Sequence, residues 1–383
     1  MKVYLDNAAT TKVDDKVVAK MQSYYLEKYG NPSSLHAKGE EAFQELHQAK
    51  SQVAKLLNTD TINLIFTGSA SEANNFIIKG VARANKDKGK HIIISNIEHP
   101  CVLGPAKELT MEGFEVEYIP VNKKGLIQPS ELKKRLRKDT LLVSIMTANN
   151  EIGTIQDIKK LAKLTKANGS IFHTDAVQSV PDVKLDIKND NIDFLTLSAH
   201  KFHGPKGVGL ACINPNIKIR PLISGSEQNK GLRAGTIDVP GIVGFAEALK
   251  IAYQGRQTKI NQIKKLRNYF YNQLEKELGD ISLNGDKDKR LANNLNVCFK
   301  GVEGEAILVD LSQKGICVST GSACSAHNLK VSYVLQALRI KSKYLNSNIR
   351  FSLSKYTTKK ELDYTIKEIK KTIKRLKNFS PIK

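Results

Sequence analysis

The sequence lacks the features that would place it in a specialised class. Its five cysteines (Cys101, Cys212, Cys298, Cys317 and Cys324) form no CxxC pair and are odd in number. That argues against a disulfide framework or a zinc site, so no metal is expected, and it fits a reducing compartment. No run of about 18 apolar residues occurs, and residues 1–10 (MKVYLDNAAT) contain no apolar signal core. Internal repeats and low-complexity linkers are also missing. The expectation is a soluble, cytoplasmic protein that does not meet a membrane.

Acidic residues are in short supply, with 60 Lys+Arg against 38 Asp+Glu and a formal net charge of +22. A nucleic-acid partner would explain such a charge. The lysines, however, are spread along the chain, and no arginine-rich or aromatic-interleaved patch stands out. No direct nucleic-acid binding is therefore expected. With 383 residues and 40% hydrophobic content, the chain can bury a large core, and its length favours two domains.

From about residue 14 to residue 255, short apolar runs alternate with helix-length segments such as Pro129–Lys138 and Asp157–Asn168. The strand candidates are Asn63–Phe66, His91–Ser95, Val116–Pro120, Leu141–Met146, Ser170–His173, Asp193–Leu197 and Val208–Ile213. This alternation predicts an α/β fold with a parallel sheet. The pattern then changes. Lys259–Leu278 reads as an amphipathic helix stopped by Gly279, and Leu362, Ile366, Ile369, Ile373 and Leu376 mark a last helix with its lysines on the other face. The predicted division is a large domain, 13–255, and a smaller α+β domain made of 1–12 with 256–383.

Five clusters fall at predicted strand ends, where open α/β sheets gather ligands. Phe66-Thr67-Gly68-Ser69-Ala70-Ser71-Glu72-Ala73-Asn74-Asn75 runs from a strand into a helix start, an arrangement that serves as an N-cap or as an anion cradle. Glu98-His99-Pro100 holds an imidazole in extended backbone, because proline disfavours helix before it. Asn149-Asn150-Glu151 supplies two amides that make a turn or bind a ligand oxygen. Asp175 follows the run Ser170–His173 and is costly to bury without a cationic partner. Lys201 stands in Ser198-Ala199-His200-Lys201-Phe202-His203-Gly204, directly after a strand. Each cluster alone has an ordinary structural explanation. Together they offer an anion site, a flat ring, a carboxylate and an amine, which is the set pyridoxal 5'-phosphate requires.

The motifs Tyr4–Thr11, Gly30–His36, Glu98–Pro100, Asn149–Thr154, His173–Val180, Ser198–Gly209, Gly231–Thr236 and Arg350–Leu353 occur in order over nearly the whole chain. In this the chain resembles the cysteine desulfurases of the NifS/IscS type, class V aminotransferases of PLP fold type I. The resemblance implies a large domain with a mixed, mostly parallel seven-stranded sheet flanked by helices. It implies that Lys201 holds the cofactor covalently, that His99 stacks on its ring, and that Asp175 pairs with the ring nitrogen. Asn150 and Gln178 would bond the ring hydroxyl oxygen. Ser71, Ser198 and His200 would hold the phosphate, joined by Thr236 from the other subunit of a homodimer. Arg350 would clamp the substrate carboxylate, with Asn31 nearby. The family's glycine-rich segment is replaced here by Ser224-Gly225-Ser226-Glu227-Gln228-Asn229-Lys230.

The segment Val318–His327 is small and polar around Cys324, so a mobile loop is expected there and not a core. It resembles the family's catalytic loop. The resemblance then implies that Lys201 removes the Cα proton of L-cysteine and that His99 assists the proton movements that follow. The Cys324 thiolate takes the substrate sulfur as a persulfide and leaves alanine. His327 stands three residues away and is either a helper or a solvated loop residue. Cys298 and Cys317, in apolar runs, read as structural, and Cys101 receives no role. The sulfur would pass to an iron–sulfur scaffold protein or a tRNA-thiolating enzyme. The chain end at Ser380–Lys383 argues against a scaffold contact through a longer tail. The rival readings are a selenocysteine lyase or another class V enzyme, and, from a different class, a basic RNA-associated protein.

Overall fold

The computed structural model describes residues 1–320 and 331–378. A short strand, β1 (Val3–Tyr4), opens the chain. A seven-stranded sheet follows, built from β2 (Leu64–Thr67), β3 (His91–Ser95), β4 (Glu115–Ile119), β5 (Thr140–Ser144), β6 (Ile171–Asp175), β7 (Phe194–Ser198) and β8 (Gly209–Ile213). Their spatial order is β2-β8-β7-β6-β5-β3-β4. Only β8 runs antiparallel to its neighbours, and the remaining pairs are parallel. Each of the seven strand candidates lies in this sheet, with edges displaced by a residue or two.

Successive side chains of a strand point to opposite faces, and here both faces are covered. On one face Phe66, Ile93, Val143, Phe172 and Leu195 pack with α1 (Asp15–Leu26), α2 (Ala37–Leu57) and the helix Val239–Tyr253. On the other, Ile65, Ile92, Leu142, Ile171 and Phe194 pack with α3 (Ala70–Ala84) and α4 (Pro100–Met111). This two-sided burial is why the strands read as near-continuous apolar runs.

A separate apolar cluster joins Val3 and Leu5 to residues such as Phe270, Val297, Phe351 and Ile369. It contains the antiparallel sheet β12-β10-β9, made of β9 (Ile281–Leu283), β10 (Asn294–Phe299) and β12 (Asn348–Ser352). The strand β11 (Ile316–Cys317) pairs with β1. The helix Arg256–Leu278 stops at Gly279, whose φ of 70° suits a residue without Cβ. The last helix, Lys359–Lys377, opens on a capping box between Thr358 and Glu361.

Cys212 and Cys298 are buried in strands, but Cys317 is exposed. Its strand belongs to a two-stranded sheet, and alternation turns Ile316 inward and Cys317 outward. The reading of Cys317 as a buried structural residue is corrected accordingly. Among the described residues, no helix is long and apolar enough to cross a membrane.

Candidate active site

The C-terminal ends of β2, β3, β5, β6 and β7 share one edge of the sheet, since these strands are parallel to one another. Ser198 ends β7, and a single helical turn, Ala199–Lys201, follows. Lys201 Nζ donates to the carbonyls of Ala8 at 2.7 Å and Ala9 at 2.8 Å. The same N-terminal segment is tied to the turn by Thr11, whose N–H donates to His200 O at 3.0 Å. Gln178 Nε2 also donates to Ala8 O, at 3.0 Å. The lysine turn is therefore braced from outside the sheet.

At the end of β2 the chain turns into α3. Ser69 caps the helix, its Oγ accepting from Glu72 N–H at 3.1 Å. Glu72 is held by Gly68 N–H at 2.6 Å and by Arg233 Nε at 2.9 Å. The first turn thus presents Ser69, Ala70 and Ser71 toward the edge, where a helix N-terminus favours an anion.

His99 has extended backbone (φ −65°, ψ 149°) and caps α4, with Pro100 in the first turn. Its Nδ1 accepts from Cys101 N–H at 3.2 Å and lies 2.9 Å from Cys101 Sγ. Burial lowers its pKa; Asp175 opposes this and Lys201 adds to it. His99 is therefore neutral near pH 7. His200 is pushed down to about 4 by burial, and then by Lys201 and Lys206.

Asp175 ends β6 and is 5% exposed. Its Oδ1 accepts from Val177 N–H at 3.0 Å, and its Oδ2 accepts from Asn74 Nδ2 at 2.7 Å. Arg350, 2% exposed on β12, donates from Nη2 to Asp6 Oδ1 at 2.8 Å and from Nη1 to Asn150 O at 3.0 Å. Its Nε is buried and has no hydrogen-bond partner among the described residues. Beside these groups, burial drives the Glu98 carboxyl up to about 8. Hydrogen bonds from Ser95 and Met146 oppose the shift, and Asp175 reinforces it.

Ser71, His99, Asn150, Asp175, Gln178, Ser198, His200, Lys201 and Arg350 line one cavity of about 340 Å³. Thr236 lies elsewhere, in a hollow with Arg233 and Asp238. Asn31 is exposed in the turn before α2 and does not reach this cavity. Cys324 and His327 lie outside the described residues. Asn74, within the Phe66–Asn75 cluster, and Asp6 and the carbonyls of Ala8 and Ala9, within the Tyr4–Thr11 motif, touch the site without a role assigned from sequence. For Asn74 a signal was present: it is a polar residue within the buried stripe Ala73, Phe76, Ile77 and Val81 of α3. The segment Gln228–Gly231 departs from ordinary backbone, with Asn229 at φ 50°, Lys230 at φ 59° and Gly231 at φ 72°.

The donor set fits pyridoxal phosphate. A helix N-terminus with Ser71 and Ser198 suits a phosphate. Asp175, an acceptor held by two donors, suits a protonated ring nitrogen, and Lys201 suits an aldehyde.

Comparison with known proteins agrees with this chemistry. The model of the family "Aminotransferase class-V" matches residues 3–365. The cysteine desulfurase IscS of Dictyoglomus turgidum is 45% identical over 381 residues, spanning 100% of this chain and 97% of the relative. A solved structure described as a NifS-like protein superposes with a TM-score of 0.93 at 39% identity, covering 98% of this chain and 100% of its own. Another, described as SspA in complex with cysteine, superposes with a TM-score of 0.82 at 32% identity, covering 93% of this chain and 100% of its own.

Proposed function

The chain belongs to the aminotransferase class-V family, and we propose that within it this protein is a cysteine desulfurase, converting L-cysteine to L-alanine and passing the sulfur on as a persulfide. The observation that carries this reading is the single cavity with Lys201, His99 and Asp175 on its walls and Arg350 at the β12 side. The cysteine desulfurases among its relatives, and the neighbour solved with cysteine, support the substrate.

Pyridoxal phosphate, when bound, supplies an aldehyde carbon for the substrate amine and a ring that accepts electron density from Cα. Lys201, Asp175, His99, Ser71, Ser198, His200, Asn150 and Gln178 would hold it. Arg350 orients the substrate, because its planar fork is already anchored on Asp6 and Asn150 and keeps donors for a carboxylate. Lys201 Nζ takes the Cα proton. His99, kept neutral by burial, offers a ring N–H to the groups that lose and gain protons. Cys324 attacks the substrate sulfur as a thiolate. The S–S bond forms, the substrate C–S bond breaks with its electron pair returning to carbon, and protonation there gives alanine.

The active form is proposed to be a homodimer, with Thr236 serving the partner's phosphate site. Two features support this: Thr236 stands away from the cavity of its own chain, and Tyr25, Leu26, Tyr29, Leu35 and Phe43 are exposed around the end of α1 and the start of α2. The sulfur acceptor is proposed to be an iron–sulfur scaffold or a tRNA-thiolating enzyme. The cytoplasm suits the unpaired thiols of Cys101, Cys212, Cys298 and Cys317. The division into 13–255 and 1–12 with 256–383 is part of the same proposal, supported by the apolar cluster that draws on Val3, Leu5 and residues such as Phe270, Val297, Phe351 and Ile369, while Val334, Leu335 and Leu338 pack into the core of the large sheet.

The test is alanine formation by the purified, pyridoxal-phosphate-loaded protein. The reading expects alanine from L-cysteine in step with sulfide when a reductant is present, and none from Lys201→Ala. Alanine from L-selenocysteine alone would move the assignment to a selenocysteine lyase.

A further inference from the structure

Asn74 is fully buried on α3, at a position whose neighbours in the stripe are apolar. A buried amide is costly unless its hydrogens are used. Here one N–H donates to Asp175 Oδ2 at 2.7 Å and the other to Cys101 Sγ at 3.0 Å. The amide orientation is fixed by chemistry: a carboxylate only accepts, so the Asn74 atom facing Asp175 is the nitrogen. Cys101 Sγ in turn lies 2.9 Å from His99 Nδ1. Burial, reinforced by Asp175, pushes the Cys101 thiol up to about 12, so it keeps its proton at neutral pH. A neutral S–H can donate to the imidazole nitrogen it faces, and the Ser71 side chain is a second hydrogen-bond partner of the same thiol. His99 Nδ1 already receives the Cys101 backbone N–H.

We propose that Asn74 and Cys101 are positioning residues, forming one hydrogen-bonded bridge from Asp175 to His99 that fixes the imidazole with Nδ1 as acceptor and the proton on Nε2. Two donors on Nδ1 leave Nε2 as the nitrogen that carries the exchangeable proton. The bridge also means that Asp175 and His99 are not set independently, because each restrains the other through one amide and one thiol. This inference rests on the reading that His99 and Asp175 are the groups that hold the cofactor. A serine at 101 would preserve the donor. An alanine would leave Nδ1 with the backbone N–H alone.

The experiment is long-range proton–nitrogen correlation NMR on the holoenzyme labelled with ¹⁵N-histidine, with His99 assigned by its loss in His99→Gln. The wild type and Cys101→Ser should show His99 as the Nε2–H tautomer. Cys101→Ala should show nitrogen shifts averaged toward the other tautomer, with kcat down about tenfold, the weight of one hydrogen bond, and KM unchanged. Asn74→Ala should move His99 in the same direction, and the double variant should move it no further than Cys101→Ala alone. If Asn74→Ala does not fold, Asn74→Ser replaces it. His99 resonances in Cys101→Ala identical to wild type would overturn the bridge, and so would additive shifts in the double variant. Wild-type protein with the expected tautomer that yields no alanine from L-cysteine would instead overturn the desulfurase reading and leave the bridge standing.

Discussion

The Arg350 guanidinium stands 2.8 Å from the Asp6 carboxylate, joining β12 to the segment that follows β1. Ser352, two residues along the same strand, completes the junction. Its Oγ accepts from Ala8 N–H at 2.8 Å, and its carbonyl accepts from Asn7 Nδ2 at 2.8 Å. Since Ala8 and Ala9 hold Lys201, one short stretch braces both the proposed carboxylate clamp and the proposed base.

Replacing Arg350 by lysine keeps the charge and removes the fork. A single ammonium cannot serve Asp6, Asn150 and a carboxylate together. Arg350→Lys is expected to raise KM for L-cysteine by roughly 10- to 100-fold with a smaller change in kcat, read from steady-state alanine formation. A fall in kcat alone would place the arginine's role in the chemical step.

Glu98 gives a stability signature. In the folded protein it keeps its proton up to about pH 8, whereas the ordinary value is 4.5. The native state therefore binds the extra proton in that window, and stability falls as pH rises through it, levelling off above. The buried histidines act in the opposite sense, so the comparison is between variant and wild type. Glu98→Gln keeps an oxygen for Ser95 and Met146 and has no charge to bury. It should be about 2–4 kcal/mol more stable than wild type near pH 8.5 and nearly equal near pH 5, by urea denaturation. An equal offset at both pH values would contradict the assignment.

Lys230 adopts φ 59°, a left-handed conformation that costs a side chain energy. Lys230→Gly should relieve more strain than it adds in unfolded-state entropy. The expected gain is roughly 0.5–1 kcal/mol, visible as a raised Tm. A lowered Tm would show that the lysine side chain makes a compensating contact.

The sheet was legible because both of its faces are buried: Ile92, Ile93 and Ile94 form a run that only a fully covered strand requires. The candidate site residues Lys201, Asp175, His99 and Ser71 were legible because each sits at the end of such a strand or shortly after it. What escaped was set by contacts across the fold. Asn74 meets Asp175, and Asp6 meets Arg350, only after distant segments are brought together. Cys317 was misread because its two-residue strand carries no pattern that separates an inward from an outward side chain. Thr236, expected to serve the phosphate, lines a separate hollow of its own chain.

The proposed desulfurase activity turns on transfer of the cysteine sulfur onto Cys324. The most direct measurement incubates the pyridoxal-phosphate-loaded protein with L-cysteine without reductant and maps the modified thiols by mass spectrometry. A persulfide on Cys324, alanine in proportion, and loss of both in Cys324→Ala are expected. Alanine formed with Cys324 unmodified, or undiminished in Cys324→Ala, would contradict that transfer.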